Sequence, residues 1–237
     1  VTRTSATLVP HLLSDAAART PDAPAVIEPS RQITYRALDR LASTTAHLLR
    51  RAGVSRGDRV LLALDNCVEL VAAYFGTMRT GAIAVPLPPG PRSDRLSSAL
   101  ADCTPTACIT DLGTATDTIA HAGFGSVRAL FVLGAARDQR GTTFDGKPLV
   151  DLRNALNEIE ADASDPIEDH AIDLDLATII YTSGSTGAPR GVMLRHRNIL
   201  ANTASIVSYL NLTSADRVMC VLPFYYVYGL SLLHTHI

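Results

Sequence analysis

Short apolar runs separated by stretches of helical period dominate this chain of 237 residues, and that alternation restricts its possible folds more than any other feature. The segment TYRALDRLASTTAHLLRRAG sets Leu38, Leu41, Leu48 and Leu49 on one helical stripe, with Thr34 placed to cap the start and Gly53 to stop it. DRVLLAL follows as a buried strand. Asn66 and Glu69 form a candidate capping pair for a helix through VAAYFGTMRT that stops at Gly81, and AIAVPL is the next strand. The same reading gives a first helix over residues 10–19, helices near 94–102 and 114–121, and strands in TACIT and VRALFVL. Strands alternating with helices at this spacing require right-handed crossovers, so the class is α/β with a mostly parallel sheet flanked by helices.

Residues 1–133 read as a first α/β subdomain. Residues 134–175 are richer in Asp, Gly and polar side chains, carry only a short helix near 152–159, and read as a connecting segment. A second α/β subdomain begins at 176: a strand to Tyr181, a glycine-rich loop, a helix over 197–210, the strand RVMCVL, and a helix from about Gly229. The last residues, GLSLLHTHI, stop without a glycine, a cationic turn or a polar tail, so the second subdomain is expected to be truncated.

Composition excludes several classes of function. A net charge of −2 and a pI near 6.4 with scattered arginines offer no field for a nucleic acid backbone. No apolar run is long enough for a membrane span, and the first residues lack the apolar stretch of a signal peptide. Cys67, Cys103, Cys108 and Cys220 have neither CxxC nor zinc spacing and are expected to be reduced thiols, which points to a cytoplasmic protein. Heavy use of Ala and Arg fits a GC-rich bacterial genome. Lys147 is the only lysine among 21 Lys and Arg residues.

The segment YTSGSTGAPRGV, from Tyr181 to Val192, carries the chemistry. A loop of this kind after a buried strand turns several backbone N–H groups toward one concavity, and small hydroxyls add donors that rotate to suit a phosphate. Gly184, Gly187 and Gly191 would permit the backbone path, and Thr182, Ser183, Ser185 and Thr186 would supply side-chain donors. The alternative is a Ser/Gly surface linker. A Walker loop needs GxxxxGK followed by Ser or Thr, which GSTGAPRGV does not provide.

Nearly residue for residue, the segment resembles the phosphate-loop signature of the adenylate-forming superfamily, Y-T-S-G-S/T-T-G-x-P-K-G-V, which includes acyl-CoA synthetases and fatty acyl-AMP ligases. It departs only at Arg190. TYRALDRL leading to GDRV, the stretch NCVELVAAYFGTMRTGAIAVPLPP, RHRNIL and LPFYYVYGL are similar to further family segments in the same order, with Tyr226 at the family's histidine position.

The resemblance implies an N-terminal portion of an enzyme in which a carboxylate, expected here to be that of a fatty acid, attacks the α-phosphate of Mg-ATP to give acyl-AMP. The thiol of CoA or of an acyl carrier protein then takes the acyl group. Thr182, Ser183, Gly184, Ser185, Thr186, Gly187 and Arg190 would hold the phosphates, and Arg190 and Tyr226 would stand closest to the reaction; no metal-ligating residue is assigned. For Arg190 the alternatives are a phosphate contact in place of lysine and a product of arginine-biased coding; for Tyr226 they are an acyl-site position and packing of FYYVY in the core. The family's adenine and ribose motifs and its C-terminal lysine have no counterpart here. The chain is thus expected to be either the front half of a ligase or a remnant that at most binds phosphate or a partner.

Overall fold

The computed structural model describes residues 6–90, 94–121, 125–134, 143–144, 146–159, 171–183 and 189–237. Helix α1 (Pro10–Arg19) leads into a hairpin of β1 (Pro24–Glu28) and β2 (Arg31–Thr34), followed by α2 (Tyr35–Arg51), β3 (Arg59–Ala63), α3 (Val68–Arg79) and β4 (Ile83–Pro86). The order continues with α4 (Asp94–Cys103), β5 (Ala107–Asp111), α5 (Leu112–His121), β6 (Ala129–Leu133), β7 (Thr143–Phe144), β8 (Lys147–Asp151) and α6 (Leu152–Ile159). It closes with β9 (Leu176–Ser183), β10 (Pro189–Arg195), α7 (His196–Leu210) and α8 (Val227–His236).

Local signals fix many of the boundaries. Thr34 Oγ1 accepts from Ala37 N at the start of α2, and Gly53 beyond its end takes φ +81°. Gly81 follows α3 with φ +77°. The expected capping pair at α3 is not what forms. Cys67 caps the helix, its sulfur accepting from Leu70 N, while the Glu69 carboxylate is drawn away by Arg31 at 2.6 Å and Arg153 at 3.2 Å. An arginine outcompetes a backbone N–H for a carboxylate because both partners are charged.

Eight strands share one sheet in the order β10-β9-β4-β3-β5-β6-β8-β7, parallel throughout its centre and antiparallel only at β9–β10 and β7–β8. The mostly parallel α/β class is therefore present. Helices cover both faces. One face packs α1, α2, α3 and α6 over Leu62, Ile109 and Phe131. The other packs α4 and α5 over Leu61, Val85, Cys108 and Leu130. β3, β4 and β5 are apolar at almost every position, as strands buried on both faces must be.

Three sequence expectations change. The stretch 134–175 contributes β7 and β8 besides the expected α6. The residues after the glycine-rich loop form β10 before α7 begins. RVMCVL, residues 217–222, is not a strand: no described strand lies beside it, and Met219 and Val221 stand 84% and 76% exposed. Strand propensity is realised only against a neighbour that accepts the ladder. No described helix is long and apolar enough to cross a membrane.

Candidate functional site

The glycine-rich loop joins two paired strands. Cα register sets Ser183 opposite Pro189, Thr182 opposite Arg190 and Tyr181 opposite Gly191. Strand alternation then sends Thr182 and Arg190 to one face of this hairpin and Tyr181 to the other. Two residues before Thr182 along β9, Ile180 packs in the core shared with α3, so Thr182 and Arg190 lie toward that face of the sheet. Both are exposed. Of the predicted phosphate-binding residues, Gly184, Ser185, Thr186 and Gly187 lie outside the described residues, and of Ser183 only the backbone is described.

Gly191 owes its place to close approach. A Cβ on it would lie 2.8 Å from Ile179 Cγ2 and 3.4 Å from Tyr181 Cζ, so the β10 backbone passes flush against the Tyr181 ring. The Tyr181 hydroxyl donates to Asp102 Oδ2 at 2.5 Å, across 79 residues of sequence. Burial raises the Tyr181 phenol well above its usual range and the Asp102 carboxylate adds to the rise, so the phenol stays a donor. Cys103 beside it is buried and likewise raised by desolvation. All four cysteines are free thiols.

Tyr226 sits on a different element, as the N-cap residue of α8. It is 49% exposed and tilted against Tyr225 with centroids 4.8 Å apart, whereas Phe224 two residues earlier is buried. Core packing within FYYVY is thus seen at Phe224. What holds this turn is a residue that sequence reasoning had assigned to a helix cap. Asn66 Nδ2 donates to Leu222 O at 2.9 Å, and Asn66 Oδ1 accepts from Phe224 N at 2.9 Å. The amide thereby stands in for a neighbouring strand. No local sequence signal identifies a contact of this range.

His196, His234 and His236 differ in their surroundings. His196 is buried and its Nδ1 accepts from Val9 N at 3.1 Å. His236 is half-buried. His234 is buried on α8, its Nε2 3.0 Å from the Tyr74 hydroxyl, and desolvation lowers its pKa to about 3. A group neutral in the folded state but protonated when unfolded gives stability that is complete above the unfolded pKa near 6.5 and is lost as pH falls toward 3. The melting midpoint should therefore decline below about pH 6.5, and His234→Gln should flatten part of that decline in calorimetric scans. An unchanged slope in the variant would show that other groups set the acid limit.

A second cluster lies away from the loop. A cavity of about 360 Å³ is lined by Glu28, Arg31, Cys67, Glu69, Leu133 and Arg153. Burial pushes the Glu69 carboxyl up, but the Arg31 hydrogen bond and the charges of Arg31 and Arg153 together hold it below the usual range. Cys67 is pushed up to about 12 by burial. These groups neutralise one another and tie β2, α3 and α6 together.

A model of the AMP-binding enzyme family matches residues 13–236. Naringenin synthase of Pestalotiopsis fici is 31% identical over 95% of this chain and 8% of its own length. A long-chain-fatty-acid–CoA ligase of Bacillus subtilis is 29% identical over 93% of this chain and 42% of its own. Among solved structures, the inhibitor-bound N-terminal domain of FACL13 from Mycobacterium tuberculosis is similar at a TM-score of 0.77 and 26% identity. That match covers 97% of this chain and 55% of that one. This chain spans less than half the length of the curated relatives it matches.

Proposed function

This chain belongs to the AMP-binding enzyme family, and from that premise we propose that it is the N-terminal part of a ligase that activates a carboxylic acid with ATP. The observation that carries the reading is the hairpin itself: a loop of glycines and small hydroxyls joins β9 to β10, with Thr182 and Arg190 in register across its base. In this reading residues 1–133 and 176–237 are two subdomains joined by 134–175, and all three stretches add strands to the one sheet.

In the reaction, a carboxylate oxygen bonds to the α-phosphorus of ATP while the bond from that phosphorus to the bridging oxygen breaks. Pyrophosphate leaves with the electron pair. Negative charge grows on the leaving group, and catalysis consists largely of fixed donors that meet it. Thr182, Ser183, Ser185 and Thr186 would donate hydroxyls, Gly184 and Gly187 backbone N–H groups. Arg190 would bring a permanent charge able to grip two phosphate oxygens at once. Tyr226, exposed at the N-cap of α8, a helix whose Leu230 and Leu233 pack in the core shared with α3, would border the acid.

Among the described residues no group of three His, Cys, Asp or Glu side chains could hold a metal ion. Mg²⁺ bound to nucleotide keeps most of its shell as water and phosphate oxygen, and it enters the reading with ATP. The name of the Bacillus subtilis relative favours a long-chain fatty acid as substrate and CoA as acceptor, with a carrier-protein thiol as the second choice.

The test is pyrophosphate release by the intact protein with ATP and a panel of carboxylic acids, together with detection of acyl-AMP by mass spectrometry. Acid-dependent release with fatty acids is the expected outcome. Release with no acid, or with none of a chemically broad panel, would set the reading aside.

A further inference from the structure

The geometry points to Tyr181 and Asp102 as a brace that positions the phosphate-gripping hairpin, an inference that rests on the reading above and adds two positioning residues to it. Tyr181 immediately precedes Thr182 on β9, and its cross-strand partner Gly191 immediately follows Arg190 on β10. One ring therefore touches both arms of the hairpin, one residue away from both candidate phosphate contacts. The absence of a side chain at Gly191 is what lets the ring lie against β10, since a Cβ there would meet Ile179 Cγ2 at 2.8 Å.

Beyond the ring, the hydroxyl reaches Asp102 at 2.5 Å, the length of a hydrogen bond to a charged acceptor. Asp102 lies at the C-terminal end of α4, and that end is itself fastened. Arg59, at the start of central strand β3, donates from Nε to Cys103 O at 2.6 Å and from a terminal nitrogen to Thr104 O and Oγ1 at 2.8 Å. Thr104 has φ +42°, a left-handed conformation uncommon for a β-branched residue, and the Arg59 fork grips it there. A continuous path thus runs from the middle of the sheet through Arg59, the end of α4, Asp102 and Tyr181 to the strand residues on either side of the loop.

The hairpin needs such a path. β10 is an edge strand, paired only with β9 among the described residues, and β9 meets β4 through a single parallel register pair, Ala84 with Thr178. At the loop end of the hairpin, Tyr181 supplies the anchor that neighbouring strands do not. A shift of the ring would carry Thr182 and Arg190 with it, and small misplacements of binding groups cost large factors in rate.

The test uses the intact protein with Tyr181→Phe, Asp102→Ala, their combination, and Asp102→Asn, whose amide oxygen still accepts from the phenol. Dissociation constants for ATP come from calorimetry, and KM values for ATP and for the acid from pyrophosphate release. Tyr181→Phe and Asp102→Ala should each weaken ATP about tenfold, the worth of one charge-assisted hydrogen bond, with the KM for the acid unchanged. The double variant should be no worse than either single one, and Asp102→Asn should return to within about threefold of the parent. Tyr181→Phe keeps the ring and so keeps the packing on Gly191. ATP constants equal to the parent's, with only a lower melting midpoint, would overturn the brace. Arg190→Ala separates the two ideas: if it weakens ATP and Tyr181→Phe does not, the brace alone fails, whereas if neither acts the hairpin does not grip phosphate and both fall.

Discussion

Arg190→Ala in the intact protein is expected to lower the rate of ATP-dependent acid activation by about two to three orders of magnitude. Loss of one preorganised donor to a developing oxyanion costs roughly 2.7–4 kcal/mol in the transition state. The residue is exposed on an edge strand, so its removal should leave the fold intact and the loss should appear in turnover and not in the melting midpoint. Arg190→Lys should retain most of the activity, because charge is kept although the two-pronged geometry is not. That contrast separates the two origins of an arginine at this position. If alanine, lysine and arginine all support equal pyrophosphate release, arginine-biased coding accounts for it and the phosphate grip lies elsewhere.

Legibility in the sequence depended on how locally each feature is determined. Thr34 as cap and the glycines ending α2 and α3 act through backbone geometry within one turn, and the strands β3 to β6 announce themselves because burial on both faces requires unbroken apolar runs. α6 was visible because Leu152, Ala155 and Leu156 keep a helical period and are buried. β10 was hidden: PRGVMLR begins with a proline and a glycine that belong to the loop signature, and only Val192, Met193 and Leu194 hint at a strand. The β1–β2 hairpin was hidden for a different reason, since it is short and only partly buried. RVMCVL shows the converse failure, an apolar run with strand propensity and no described strand to pair with.

The site divides in the same way. A loop signature of twelve residues is contiguous and could be read directly, and so could the residue types that suit phosphate. Asn66 could not: its two hydrogen bonds reach Leu222 and Phe224, more than 150 residues away, and the local pattern suggested a helix cap instead. Asp102 is equally silent in sequence, an exposed acid at a helix end until Tyr181 is placed beside it. Contacts made by side chains between distant elements are set by topology, and a single sequence carries no signal of them.

The turn that Asn66 holds leads to the second large expected effect. Gly229→Ala should destabilise the protein by about 3 kcal/mol, although the same change inside an ordinary helix stabilises by nearly 1 kcal/mol. The sign is decided by what a Cβ would meet: Pro223 O at 2.2 Å, Pro223 C at 2.8 Å and Leu222 O at 3.1 Å. All three are main-chain atoms, so no rotamer change can relieve the contact. Leu222 O accepts from Asn66 and Pro223 O accepts from Tyr226 N at 3.1 Å, so opening the turn breaks both bonds. It also displaces Tyr226 from the N-cap of α8 and draws buried Phe224 from the core. Denaturant midpoints would measure the loss, with Ser231→Ala on the same helix as a comparison, since Ser231 only returns a hydrogen bond to Val227 O and should change little. Acid-dependent pyrophosphate release should fall further in Gly229→Ala than its unfolded fraction explains, because Tyr226 moves even in molecules that remain folded. Equal or greater stability than the parent would mean that α8 does not rest on the Pro223 carbonyl, and with it the placement of Tyr226 beside the acid would lose its support.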